Sequence, residues 1–267
     1  MKLGILGCGN MGEAFLKSVL TENVFSSEEV LVCNKTQERN DALKTAYGVS
    51  TTLKAEDLRS CDVVLLGIKP QNLSEIQLHF TQKAIVISML AGTPIDRIRS
   101  SVKGNAAFVR IMPNLGQFVG KGITGLFFDT QSEFSEEERQ QVKEIIEAGG
   151  AMLEFSRESQ IDALTSISGC GPAYFFFLGE TLECLAQEMG FSEAEARVAV
   201  RQTFLGAARL LEQNETLSFR EATQRVASKG GVTERALEVL KELGWEDILK
   251  KALLEADKKG RELGKEH

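Results

Sequence analysis

The feature that most restricts this chain is its N-terminal run, where the apolar residues Leu3–Leu6 lead straight into Gly7-Cys8-Gly9-Asn10-Met11-Gly12. A G-x-G-x-x-G pattern is weak in isolation. Placed between a predicted strand and a predicted helix, in the first βαβ unit of a chain, it acquires a specific physical reading. The first glycine permits the tight turn, the second lets backbone approach a pyrophosphate, and the third lets helix pack on strand. The N–H groups of the helix N-terminus then face phosphate oxygens. The bland alternative is a turn built only for structure. Its context favours a dinucleotide site held by Gly7, Gly9, Asn10, Met11 and Gly12.

The alternation continues through the first half. Short apolar, β-branched runs at residues 3–6, 29–33, 62–68 and 84–90 predict buried parallel strands, and further strands are predicted at 106–112, 122–128 and 151–156. Helix-like segments separate them, the last opening on a capping box formed by Ser135 and Glu138. From residue 158 strand patterns stop and five helix-like segments follow, with Gly190 and Gly244 where C-caps belong and Ser192 and Ser218 where N-caps belong. The chain therefore reads as α/β: a Rossmann-type doubly wound sheet over residues 1–157, then an all-helical domain over residues 158–267. That helical part includes "AYFFFL", more apolar surface than a small bundle hides, so self-association is expected.

A formal charge of −7 argues against nucleic acid as a partner, because phosphate backbones require a basic surface. The "DKKGRELGK" tail reads as a solvated helix end. The apolar stretch before Gly7 is too short for a secretory segment. No later run reaches about 18 uninterrupted apolar residues, since "AYFFFLGETL" meets Glu180, so no membrane partner is expected. Five cysteines, an odd set with no C-x-x-C pair, suit reduced and mostly buried thiols of a cytoplasmic protein. With only His79 and His267, neither a zinc site nor a histidine-based triad is expected, and His79 beside Phe80 reads as a helix-surface residue.

Cofactor choice is read at the end of the second strand, where an NAD site carries a carboxylate for the ribose 2′-hydroxyl. Here stand Asn34, Lys35 and Thr36, all able to donate to a 2′-phosphate. The alternative for Lys35 is a plain surface lysine. NADP(H) is favoured, with NAD(H) the weaker alternative. Two more loops, "GIKPQN" with Lys69 and Pro70 and "RIMPNLG" with Pro113 and Asn114, follow strands at the end where such sheets bind ligands. Either could be ordinary turn chemistry; together they suggest a shared crevice. Farther on, "VASKGGVTERALEVL" sets Gly230, Gly231 and Thr233 between two helices, which taken alone reads as a C-cap followed by an N-cap.

Taken in order, "GILGCGNMG", "GIKPQ", "RIMPNL" with "GKGITGL", "SGCGPAYFF" and "GGVTERAL" resemble the pyrroline-5-carboxylate reductase family over nearly the whole chain. The resemblance implies a helical dimerisation domain after the Rossmann domain, forming a homodimer and, beyond it, a larger ring of dimers. It implies reduction of 1-pyrroline-5-carboxylate to L-proline, the last step of proline synthesis, with NADPH or NADH as donor. It further implies Lys69, Pro70 and Asn114 near the cofactor's nicotinamide end, Ser168 at the start of the long helix beside the active site, and Gly230, Gly231 and Thr233 as the substrate loop. In that case the loop's backbone N–H groups suit a carboxylate, and the Thr233 hydroxyl suits the ring nitrogen. Two residues depart from the family pattern: Lys229 stands where proline is usual, and Gly116 where proline or threonine is common. Both leave open a reductase of another cyclic imine or keto acid, or a non-catalytic NADP-binding regulator.

Overall fold

Among the residues it describes, 1–265, the computed structural model has eight strands and ten α-helices. The first half contains β1 (Leu3–Leu6), α1 (Asn10–Thr21), β2 (Val30–Cys33), α2 (Gln37–Tyr47), β3 (Ser50–Thr52), β4 (Val63–Leu66) and β5 (Leu78–Ser88). It continues with α3 (Ile95–Ser101), β6 (Val102–Met112), β7 (Gly122–Phe128), α4 (Glu136–Glu147), β8 (Gly150–Glu154) and α5 (Ser159–Leu164). Then come α6 (Gly171–Glu188), α7 (Glu193–Glu212), α8 (Phe219–Val226), α9 (Val232–Glu242) and α10 (Trp245–Lys265).

All eight strands form one sheet in the order β3-β2-β1-β4-β5-β6-β7-β8. The first six are parallel; β7 pairs antiparallel with β6, and β8 parallel with β7. The reversal has a simple cause. Residues 113–121 are too few for a crossover helix, so the chain can only turn back on its neighbour. Adjacent residues of each strand enter opposite faces. Ile5, Leu65, Ile87 and Val109 join one core with Phe15 of α1 and Val142 of α4, while Leu6, Leu66, Val86 and Phe108 join the other with Ile98 of α3 and Ile161 of α5. Burial on both faces is why these strands read as continuous apolar runs rather than alternating ones.

Three details differ from expectation. The short strand β3 had no distinct signal, its Ser-Thr-Thr being half-polar at the sheet edge. Strands β5 and β6 begin earlier than read; in β5 the start "LHF" alternates, with Leu78 and Phe80 buried and His79 exposed. His79 therefore lies on a strand, not on a helix surface; His267 lies outside the described residues. The capping box at Ser135 forms as expected, the expected N-caps Ser192 and Ser218 each complete a capping box as well, and Gly190 and Gly244 adopt the left-handed conformation at φ of 99° and 74°.

The chain divides into two compact units, one of Met1–Pro172 with the segment from Glu255, the other of Ala173–Leu254. The helical period begins at residue 158, yet α5 stays with the sheet. Its Ile161 is fully buried in a sheet core. Its Asp162 pairs at 2.5 Å with Arg110 of β6, whose guanidinium is 1% exposed and is also met by Glu158 at 3.1 Å. In the second unit, Phe175, Phe176 and Phe177 are 62%, 70% and 71% exposed. Three consecutive helical residues span too wide an arc for one face to cover, so α6 is apolar on more than one side. The continuous helical stretch Ser159–Glu188 is long and apolar enough to cross a membrane by length and composition alone. Glu180, Glu183 and Glu188 interrupt it.

Candidate active site

The carboxyl ends of the parallel strands place four loops along one edge of the sheet. The first is the glycine turn after β1, and each glycine has its own reason. Gly7 lies at φ 85°, where a Cβ would sit 2.6 Å from Ile68 Cγ2 and 2.8 Å from the Ile68 nitrogen. Gly12 passes so close to the turn that a Cβ would lie 2.9 Å from the Gly7 carbonyl oxygen. A Cβ on Gly9 would meet nothing within 4 Å. Gly9 is the N-cap of α1 and brings no side chain to cap it. The open side of the turn thus lies where the first N–H groups of α1, from Asn10, Met11 and Gly12, have no partner among the described residues. This cradle fits a dinucleotide phosphate.

The turn is held from the second strand. Asn34 accepts the Cys8 N–H on Oδ1 at 2.8 Å and donates from Nδ2 to Asn40 at 3.0 Å. Its oxygen is therefore committed to shaping the turn. Lys35 Nζ reaches Glu75 at 2.7 Å, an exposed pair, and Thr36 caps α2 by accepting the Arg39 N–H. Arg39 was missed by sequence reasoning. Its Nε donates to the Cys8 carbonyl at 3.0 Å and its terminal nitrogen to Glu13 at 2.5 Å, so it ties α2, α1 and the glycine turn together. The partners are about thirty residues apart in sequence, and an arginine in the first turn of a helix carries no local signal. The Arg39 hydrogen bond holds the Glu13 carboxyl below its usual range, and a second bond comes from the Tyr47 hydroxyl at 2.8 Å. Burial pushes the Cys8 thiol up to about 12, so it is inert as a nucleophile.

The loop after β4 packs directly on the turn, a Cβ on Gly67 being placed 2.5 Å from the Gly7 carbonyl oxygen. Lys69 then caps a short 3₁₀ turn whose first residue is Pro70, leaving the lysine exposed. After β6, Asn114 accepts the N–H groups of Gly116 at 3.1 Å and Ile123 at 3.3 Å on its Oδ1, which ends β6 and starts β7. Gly116, the departure from the family pattern, has a local cause: its N–H is used by Asn114, and a Cβ there would lie 2.5 Å from the Lys121 carbonyl oxygen. The turn reaches back to α1, where Lys17 Nζ donates to the Phe118 carbonyl at 3.1 Å.

Between α5 and α6 the helix widens into one π turn over Thr165–Gly169, with the Cys170 N–H bonded to the Thr165 carbonyl at 2.8 Å. Such bulges recur at functional sites. Thr165 and Ser166 return their hydroxyls to carbonyls of their own helix, but the Ser168 Oγ is buried with no partner. A Cβ on Gly169 would stand 3.5 Å from Met112 Sδ, which sets this turn beside the Asn114 loop.

The remaining expected residues belong to the second unit. Gly230 lies at φ 70°, three residues beyond the C-cap Ala227 of α8, so it is not that helix's cap. Gly231, not Thr233, is the N-cap of α9. A Cβ on Gly231 would fall 2.8 Å from the Ser228 carbonyl oxygen. The two glycines' own N–H groups are engaged, Gly230 with the Glu234 carboxylate at 2.6 Å and Gly231 with the Ser228 carbonyl at 2.9 Å. Among the described residues, the unbonded donors are those of the first turn of α9. Thr233 is half-buried and its hydroxyl has no hydrogen-bond partner among the described residues. Helical threonines 181, 203 and 223, in contrast, all return theirs to the carbonyl four residues back. Lys229 is exposed.

Two family models match the chain, described as pyrroline-5-carboxylate reductase dimerisation over residues 158–263 and NADP oxidoreductase, coenzyme F420-dependent, over residues 2–92. A pyrroline-5-carboxylate reductase of Staphylococcus epidermidis is 32% identical, covering 90% of this chain and 89% of its own. The solved structure of a pyrroline-5-carboxylate reductase of Coxiella burnetii superposes with a TM-score of 0.85 at 29% identity, covering 98% of both chains. The fold is shared by a Plasmodium falciparum pyrroline carboxylate reductase solved with NADP bound, at a TM-score of 0.83, 23% identity, and 99% and 98% coverage.

Proposed function

The chain belongs to the pyrroline-5-carboxylate reductase family, and from that membership we propose how its own residues divide the work of reducing 1-pyrroline-5-carboxylate to L-proline. The cofactor is NADP(H), which when bound supplies the hydride for the imine carbon. Residues 1–157 serve as the dinucleotide-binding part, and residues 158–267 as the dimerisation and substrate part. Gly7, Gly9, Asn10, Met11 and Gly12 form the phosphate cradle, with Lys69, Pro70 and Asn114 lining the same sheet edge towards the nicotinamide. Asn34 shapes the turn, while Lys35 and Thr36 face the 2′-phosphate.

The observation that carries the substrate assignment is Thr233, whose hydroxyl is unpartnered in the first turn of a helix with no side-chain cap. Gly230 and Gly231 give the loop its shape, and the free N–H groups beyond them suit the substrate's carboxylate. The Thr233 hydroxyl donates to the ring nitrogen as electron density builds there during hydride arrival at carbon. Ser168, with its buried and unpartnered hydroxyl, serves as a further polar contact for the substrate. No histidine is needed, because the protein positions and polarises. NADPH oxidation measured with pyrroline-5-carboxylate and with its six-membered-ring analogue tests this reading. Turnover confined to the larger ring, or to neither, would refute it.

Lys35→Ala is expected to weaken NADPH selectively, by about 1–2 kcal/mol for a lost charge-assisted contact. The existing Glu75 pair is exposed and gives up little on release. Equal losses for NADH and NADPH in steady-state kinetics would remove Lys35 from the phosphate site.

The chain self-associates through its helical dimerisation domain. Five free cysteines accord with a cytoplasmic enzyme. The proposed assembly is a homodimer in which the partner covers Phe175, Phe176 and Phe177. Light scattering is expected to give a dimer's mass or a multiple of it, the multiple indicating the larger ring of dimers. A stable monomer at micromolar concentration would contradict both.

A further inference from the structure

Glu234 stands in the first turn of α9 and is half-buried, and its carboxylate accepts the Gly230 N–H at 2.6 Å. A negative side chain thus already sits at the loop assigned to the substrate's carboxylate. Among the described residues no cation of the same helix pairs with it, Arg235 being turned towards Glu238 at 3.1 Å and Glu242 at 3.4 Å. Lys229, directly before Gly230, is exposed. The helix N-terminus offers one region of positive potential, and two carboxylates seeking it repel.

Resting on the reading of residues 230–233 as the substrate loop, we propose that Glu234 is a tethered competitor for the substrate's carboxylate and sets how strongly the site prefers anionic over neutral cyclic imines. With no ligand, Glu234 completes the loop by holding the Gly230 N–H. When an anionic imine enters, its carboxylate takes the first-turn donors, and the neighbouring Glu234 charge repels it. The energy of that repulsion is subtracted from substrate affinity. A cyclic imine without a carboxylate makes no such demand.

The test compares wild type with Glu234→Gln in the full-length chain, using NADPH with 1-pyrroline-5-carboxylate and with 1-pyrroline, which lacks the carboxylate. Glutamine keeps an acceptor for Gly230 and removes only the charge. The ratio of the KM for the carboxylate to the KM for 1-pyrroline is expected to fall roughly three- to tenfold, the range for a charge at a partly buried helix N-terminus. Glu234→Ala, which removes the acceptor as well, is expected to shift the ratio in the same direction with a lower melting temperature. An active wild type whose ratio is unchanged or raised in both variants overturns the proposal alone and leaves Glu234 a helix cap. A wild type inert towards both imines overturns the functional reading, and the proposal with it.

Discussion

Thr233→Val is expected to lower kcat and kcat/KM together by roughly 10²–10³, about 2.7–4 kcal/mol, the usual size for one donor to developing charge. The substitution removes only the hydroxyl, since valine keeps the β-branched shape and the backbone N–H. That hydroxyl bonds to nothing among the described residues, so its loss leaves no group unsatisfied. Nor does it remove a helix cap, because the N-cap of α9 is Gly231. Stability should therefore stay within about 0.5 kcal/mol of wild type. Steady-state kinetics beside a melting curve separates the cases: a lowered melting temperature with unchanged kcat would return Thr233 to a purely structural role.

Arg110→Met should cost about 3 kcal/mol of folding stability, read by urea denaturation. Its guanidinium is 1% exposed and bridges Asp162 and Glu158, and Glu158 also accepts the Ile95 N–H at 2.8 Å. Removing one partner of a buried ion group typically costs about 3–5 kcal/mol. The lower end applies here because the two carboxylates are 24% and 27% exposed and regain some water. Activity should fall as well, since α5 leads into the π turn that carries Ser168. Adding Asp162→Leu should recover part of the stability, as an apolar pair replaces the ionic one. A single variant as stable as wild type would show that α5 is held by Ile161 packing alone.

The nucleotide half was legible because its signals are local. Gly7, Gly9 and Gly12 are separated by two or three positions, and their spacing dictates a turn whatever surrounds it. Buried strands such as "VVLL" announce themselves by composition, and Ser135, Ser192 and Ser218 form capping boxes with partners three residues away. Reading failed where the deciding partner is remote or the signal is two-sided. His79 looked helical because only the strand ladder of β5 with β6 reveals its alternation. Asn34 read only as a donor, yet its oxygen accepts the Cys8 N–H, twenty-six positions earlier, and its Nδ2 also donates to Asn40.

By itself, then, the sequence determined the alternation of strands and helices apart from β3, the glycine turn, the change of period at residue 158 and the family motifs, because each depends on neighbours a few residues apart. Tertiary structure alone decided that α5 remains with the sheet through Arg110, that Arg39 braces the turn, and that Asn114 ends β6 by turning the chain back. It also decided that the N–H groups of Gly230 and Gly231 are already engaged, which moves the free donors to the first turn of α9. The reason is common to all four: a hydrogen-bond donor has a sequence position, but whether it is free is set by which acceptor the fold brings within about 3 Å.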